Sequence, residues 1–459
     1  MRKSLIILSG ILVCALNALG NVSQPNTTAL ESHRATLPAR LSPAEITLHL
    51  TEARQLLQSS LSVSSDSVGV ALLDSELGKL SIVSLPKTEF LTKDTVLSAN
   101  TSLGSKVRVE IVRANGVNTA LVVTDIKSGQ PLVPLVVQFP IVKNGGISEV
   151  AYYSSAHPAL LSAELSNAGQ SYVRTKLDLA AARLAGKGIS IPADIVNVAE
   201  HLCIVEHTDH KRFMNEKQSE LFPEILSLYA LNQGGTYRYS VSTAGAGGMI
   251  QMIPRTYEAI RQLHSSVTLN PDFVSGMRDH SNALEAMLLY MNDTWNDLAR
   301  RPEVQAALDN GIAHKAELLA AGYNSNPARL PGYLKEGGDE WRTRIPAETQ
   351  MYLRIYSSVD ENVNFNDPKT AANNVSSAVD GFATGSLPIF FWLHQSLLRT
   401  SGFPSFPSRL LKNSARDRRI ANLECGDLSP LWTHDEFSSG FWTSLWPDLK
   451  AAISRRTPK

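Results

Sequence analysis

The chain has 459 residues, with 43 Lys+Arg against 43 Asp+Glu and therefore a formal net charge of zero. A general nucleic-acid binder needs an excess of basic surface to offset phosphates, and this balance excludes one. A hydrophobic fraction of 43% over this length supports two or three domains with packed cores and excludes a disordered chain.

Met1-Arg-Lys gives a short positive start, Leu5 to Leu16 a short apolar run, and Ala18-Leu19-Gly20 a small-x-small pattern. Residues 1–20 are therefore expected to be a secretory signal cut before Asn21. Cys14 lies inside the apolar run behind Val13, which argues against a lipid anchor. After cleavage Cys203 and Cys425 remain; Cys203 sits in an apolar helical stretch as a small hydrophobe, and neither a disulfide nor a zinc cluster is expected. No other segment reaches the roughly 20 apolar residues of a membrane span, so the mature protein is expected to be soluble.

Residues 21–64 read as a linker followed by a short helix from Pro43 to about Leu61, capped by Ser42. Asn21-Val-Ser and Asn26-Thr-Thr match a glycosylation pattern too short to carry function. Over 65–156 the pattern changes to short β-branched runs at 68–73, 80–85, 106–112, 119–124 and 132–139. Asn115-Gly116 and Gly145-Gly146 are turn signals between such runs. This β-rich domain holds no catalytic constellation; it reads as a scaffold, or as a contact for cell wall or protein.

Helical spacing returns from Ala159 to Leu184 and ends at Gly186 and Gly188. A mainly α domain is expected over 157–358. Within it, Ile195, Val198, Ala199, Leu202 and Val205 mark Asp194 to Glu206 as a core helix with Glu206 in its last turn. Residues 222–229 predict another helix, and Asn282 to Met291 a buried one, on which Glu285 is a paired structural carboxylate. Residues 359–459 lose clear form: an apolar run at 387–393, a basic one at 409–419, and Trp432, Trp442 and Trp446 in a Ser/Pro-rich background suit an irregular tail. Interleaved basic and aromatic residues there can also bind an anionic polymer.

The densest signal is Ser242-Thr-Ala-Gly-Ala-Gly-Gly-Met-Ile-Gln-Met-Ile-Pro-Arg-Thr256. Gly245, Gly247 and Gly248 permit a close approach that a Cβ would block, so a ligand can lie against the main chain while Ser242, Gln251 and Thr256 supply polar contacts. A flexible surface turn is the plainer reading. No Gly-Lys-Ser/Thr ending and no Gly-x-Gly-x-x-Gly spacing accompany the run, so it is not a phosphate cradle. Pro254 and Thr256 suit a helix start.

Four pieces fall in a fixed order: a helix-borne Glu206, the bend from Ser242 to Thr256, Gly322-Tyr-Asn-Ser-Asn-Pro327, and Glu348-Thr-Gln-Met-Tyr352. That order resembles the soluble lytic transglycosylase family, lysozyme-like enzymes that cut bacterial peptidoglycan, over residues 194–356. The resemblance implies an α+β multidomain protein whose β-rich N-terminal domain precedes a lysozyme-like catalytic domain. It also implies export to the periplasm or cell envelope, peptidoglycan strands as the partner, and no cofactor or metal. In that family the matching glutamate, here Glu206, acts alone, as acid on the glycosidic oxygen and then as base on the C6 hydroxyl of N-acetylmuramic acid, leaving a 1,6-anhydro sugar. By the same resemblance Ser242, Gly245, Ala246, Met249 and Gln251 line the groove floor, Tyr323 and Asn324 stand across it, and Glu348 and Tyr352 come from the final helix.

A partly desolvated carboxyl at the end of an apolar helix favours its neutral form, as a general acid needs. Tyr323 and Tyr352 suit sugar stacking, core packing being the other reading for Tyr352. The sequence departs from the family at His207, where a serine is usual, in the long stretch before Ser242, and at Asn326, where a glycine is usual. Glu206-His-Thr-Asp-His210 also holds metal-ligand types, but His207 and His210 lack zincin spacing and a third ligand, so a polar helix end is the simpler reading; both histidines, if protonated, suit a helix C-terminus. Two further functions stay open: a glycan-binding wall protein without turnover, and a goose-lysozyme-type hydrolase in which Asp209 or another carboxylate activates water.

Overall fold

A computed structural model describes residues 41–155 and 157–365. The expected leader, the segment up to residue 40, Cys14 and Cys425, and the tail runs with Trp432, Trp442 and Trp446 lie outside the described residues.

The chain is α+β: a curled antiparallel sheet is followed by a helical body. Helix α1 (Pro43–Ser60) starts where Ser42 closes a capping box, its hydroxyl accepting from the Glu45 amide while the Glu45 carboxylate accepts from the Ser42 amide. The helix stands where the sequence places it, and α1 buries Ile46, Leu50, Ala53 and Leu57 on the outer face of the sheet, against Ala71, Leu73, Val133 and Leu135.

Seven strands follow: β1 (Ser67–Asp74), β2 (Lys79–Pro86), β3 (Val96–Asn100), β4 (Lys106–Arg113), β5 (Ala120–Asp125), β6 (Pro131–Lys143) and β7 (Gly146–Ser154), with a short helix α2 (Lys87–Phe90) after β2. Their order is β2-β1-β6-β5-β4-β3, with β7 paired to the far half of β6. The two ends of the sheet meet: Val83 bridges Thr101, and the Ser102 amide donates to the Ile82 carbonyl at 2.8 Å. Val68, Val70 and Leu72 of β1 point inward with Val83, Val107, Val109, Ile111 and Val137, while the alternate Ala71 and Leu73 lie under α1. Strand β1 is thus buried on both faces, which explains its unbroken apolar run.

The five expected runs are strands, and two more are added. Asn144 and Gly145, both at positive φ, make the tight β6–β7 turn that the glycine pair predicts. Asn115-Gly116 is not a two-residue hairpin: the chain reverses through a 3-10 turn at Gly116–Asn118, where the Thr119 hydroxyl donates to the Gly116 carbonyl.

The helical body comprises α3 (Ala163–Gly186), α4 (Ala193–Val205), α5 (His210–Asn215), α6 (Gln218–Asn232), α7 (Pro254–Leu263), α8 (Phe273–Arg278), α9 (His280–Leu298), α10 (Pro302–Asp309), α11 (Lys315–Asn324), α12 (Leu330–Gly337), α13 (Trp341–Arg344) and α14 (Ala347–Asn362). Leu160 and Leu161 precede α3 in a separate 3-10 turn rather than continuing it. Helices α3 and α6 touch backbone to backbone at Gly169, where a Cβ would lie 1.8 Å from the Leu226 carbonyl oxygen. Helix α4 is buried without a break from Val198 to Val205, Asn197 alone being exposed between Ile195 and Val205, so core surrounds its C-terminal half.

Sheet and body share contacts. Leu228 of α6 enters the inward-facing core of the sheet. Glu224 of the same helix accepts from Arg113 of β4 at 3.2 Å and from Arg212 of α5 at 2.7 and 2.9 Å. Burial alone would raise the Glu224 carboxyl, but the two guanidinium groups hold it down at about 2. The Asn232 side chain bonds both backbone groups of Ser154. On α9, Glu285 takes Arg183 and Lys187, as a paired structural carboxylate should.

Candidate active site

Glu206 stands where α4 stops. The Glu206 amide donates to the Leu202 carbonyl, and the Thr208 hydroxyl and amide take the carbonyls of Ile204 and Val205, so the last turn is satisfied locally. Asp209 then caps α5 by accepting from the Arg212 amide at 2.8 Å. Residues 206–209 form a tight corner between α4 and α5, with Glu206 at its start.

One hydrogen bond joins each of the other pieces to this corner or to its neighbour. The Tyr352 hydroxyl of α14 donates to Glu206 Oε1 at 2.6 Å. His207 Nε2 donates to the Met249 carbonyl at 3.0 Å, and its ring lies flat on Tyr237 with centroids 3.4 Å apart. The Tyr323 hydroxyl of α11 donates to the Ile250 carbonyl at 2.7 Å, and Thr349 of α14 donates to Asn324 Oδ1 at 2.9 Å. Four segments distant in sequence thereby close a ring around one carboxyl.

The Glu206 carboxyl is enclosed although the residue keeps some exposure. Burial raises it to about 8, Tyr352 pulling down and the neighbouring Glu348 pushing up. Glu348 is itself raised by burial. His207 is driven by burial to about 3, against the pull of the Met249 carbonyl, and is therefore neutral. That neutral ring carries its proton on Nε2, because a carbonyl can only accept. Glu200, earlier on α4, is also raised by burial, to about 7, but it is bonded to Arg174 at 3.3 Å.

The bend differs from expectation in what its residues touch. The Ser242 hydroxyl accepts from the Ala246 amide at 3.0 Å, and Gln251 donates to the Gly248 carbonyl at 2.8 Å and to Ser240 at 3.3 Å. Both polar groups brace the bend. Ala246 and Met249 are buried, Met249 within the helical core, and Met249 offers the site its carbonyl rather than its side chain. At Gly248 (φ +70°) the close approach is made by the chain itself: a Cβ would lie 2.3 Å from the Met277 carbonyl oxygen of α8. Only Gly245 of the three keeps open space, its nearest neighbour being Pro254 at 4.0 Å. Pro254 is the first residue of α7, as its position suggests.

Tyr352 is buried and uses its hydroxyl, which removes its ring as a sugar platform. The Tyr323 ring packs edge-on against Tyr290. His210 opens α5 instead of closing a helix, and neutral His207 gives no helix-end charge. Among the described residues no group of three or more His, Cys, Asp or Glu is arranged to hold a metal ion. Cys203 is a buried free thiol behind Glu206, raised by burial.

Sequence reasoning missed Tyr237, which lies thirty residues from its partner His207 with no periodic link and sits at φ +53°. It also missed Arg113 and Glu224, whose only signal is a carboxylate on the apolar stretch 222–229. No family model, curated protein or solved structure matches the chain.

Proposed function

We propose that the chain is a lytic transglycosylase that cleaves the bond between N-acetylmuramic acid and N-acetylglucosamine in peptidoglycan, in the lysozyme-like family it resembles, after export to the cell envelope. The observation that carries this reading is the Tyr352 bond to Glu206 on a carboxyl raised to about 8. At neutral pH the acid is protonated, and because Tyr352 donates to Oε1, the transferable proton belongs on Oε2.

Glu206 Oε2 gives its proton to the glycosidic oxygen as the C1–O4 bond breaks and positive charge develops at C1. The carboxylate left behind is steadied by Tyr352 and then takes the proton of the C6 hydroxyl as O6 bonds to C1. The proton balance closes on one carboxyl, no water is consumed, and the reaction calls for no cofactor. Gly245, the glycine of the bend beside which space is open, and Asn324 and Glu348, at the facing helix ends, are the residues assigned to the glycan.

The second reading, hydrolysis, is favoured by the proximity of Glu348 to Glu206: a second carboxylate there can activate water, whereas Asp209 is committed to capping α5. Digestion of purified peptidoglycan separates the readings. Anhydro-muropeptides are expected from the transglycosylase; reducing ends mean hydrolysis, and no soluble product means a binding protein. Glu206→Gln removes the proton and little volume, so it should abolish cleavage and keep glycan binding. Undiminished cleavage by that variant retires the assignment.

A further inference from the structure

The hairpins of the curled sheet turn at one common end. Strands β1, β3 and β5 run toward it and β2, β4 and β6 run away from it, each neighbour antiparallel, so the turns at 75–78, 101–105 and 126–130 share a rim. The opposite end carries Arg113, Val117 and Glu149, and there Arg113 meets Glu224 while Glu149 meets Tyr239, Arg238 and Arg278 of the helical body. The rim of turns is therefore the end directed away from the body.

Each turn repeats one pattern. Leu77 is 66% exposed, Leu103 62% and Ile126 49%, the first two being the most exposed large apolar side chains among the described residues. Leu77 and Leu103 are each followed directly by a positive-φ glycine (Gly78, Gly104), Ile126 by one three residues on (Gly129), and each is accompanied by an exposed lysine (Lys79, Lys106, Lys127). Turn formation requires the glycine and a side-chain cap; it does not require an aliphatic tip in water. The nearby acids are occupied: Asp74 accepts from the amides of Glu76 and Leu77, and Asp125 from those of Lys127 and Ser128 and from the Ser128 hydroxyl. Of the three lysines Lys127 feels the charge of neighbouring Asp125, and Glu76 is the one exposed acid in the three turns.

We propose that this rim docks peripherally on an anionic lipid bilayer, with Leu77, Leu103 and Ile126 entering the boundary between headgroups and acyl chains and Lys79, Lys106 and Lys127 meeting lipid phosphates. Separate convex tips offer a protein partner little continuous area, whereas a bilayer admits each tip independently. One lysine beside each aliphatic matches the layering of that boundary, apolar below and anionic above. No helix among the described residues is long and apolar enough to cross a membrane, so the contact is with its surface. Docked this way, the sheet holds the helical body and Glu206 away from the lipid. The inference is independent of the catalytic reading.

The test is co-sedimentation of the full chain with phosphatidylglycerol/phosphatidylethanolamine vesicles and with neutral phosphatidylcholine vesicles. Salt-sensitive binding to the anionic vesicles is expected. The combined Leu77→Asp, Leu103→Asp, Ile126→Asp variant should lose it by about tenfold or more. The combined Lys79→Gln, Lys106→Gln, Lys127→Gln variant should fall about tenfold or more, to the neutral-vesicle level. If the aspartates lower the melting temperature, the lysine set alone decides. Failure of the parent to bind, binding by the lysine variant equal to the parent's, equal binding to neutral lipid, or a parent dimer that the variants dissolve would each overturn the proposal.

Discussion

The His207 ring lies parallel to the Tyr237 ring at 3.4 Å while its Nε2 holds the Met249 carbonyl at 3.0 Å. The residue beside the candidate acid is thus the pin between the corner of α4 and the glycine bend. His207→Ala removes both contacts and leaves a buried carbonyl unpaired, at a cost of about 1–3 kcal/mol. Chemical denaturation should show that loss. Glycan cleavage should fall mainly in kcat, because the bend is displaced relative to Glu206.

Tyr352→Phe should separate chemistry from packing. The hydroxyl lowers the Glu206 carboxyl toward its ordinary range, so its removal raises a group already at about 8. The proposed cleavage requires protonated Glu206, and the wild-type rate should therefore decline as pH rises through about 8. In Tyr352→Phe that alkaline limb should move to higher pH. A pH–rate profile with an unmoved limb would show that Tyr352 does not bear on the acid.

Stability should carry two opposed pH dependences. Glu206 is raised in the folded state from an ordinary 4.5 to about 8, so the folded chain binds the extra proton and stability is lost as pH climbs across that window, by up to about 1.4 kcal/mol per unit. Glu206→Gln should remove its share of this slope, leaving that of Glu200 (raised to about 7), and be the more stable form at pH 8. Buried His207 (to about 3), His157 (to about 4) and His280 (to about 4) are depressed from 6.5, so the unfolded chain binds protons first and stability is lost as pH falls below about 6.5. Urea midpoints at pH 4.5, 6 and 8 should peak near the middle value, where neither loss is complete.

The bend offers a paired comparison. Gly248→Ala places a Cβ 2.3 Å from the Met277 carbonyl oxygen at φ +70°, and Gly245→Ala meets open space at φ +78°. The first should cost about 3 kcal/mol or more, from overpacking added to backbone strain, and the second about 1 kcal/mol from strain alone. Thermal melts of the two variants should differ accordingly; equal losses would mean that α8 moves aside.

The legible parts were those with a period or a local cap: α4 with Glu206 at its end, the Ser42 box, Pro254 and the inward-pointing strands. Strand β3 was not, because Val96-Leu-Ser-Ala-Asn is half exposed and poor in β-branched residues. Nor were the partners of the bend. Ser242 and Gln251 have spacing that suits a ligand or the loop's own backbone equally, and close packing by α8 decided for the backbone. Tyr237 gave no signal because stacking across thirty residues has no sequence period.

Among the described residues Leu228 is the one buried side chain of the helical body in the inward-facing core of the curled sheet. A fragment cut after Ser154 would lack it, leaving an apolar hole where a helix side chain had been and stranding Arg113 without Glu224. The two halves should accordingly melt in one calorimetric transition. Trimming the chain to its strands should yield an aggregating fragment rather than a free-standing module.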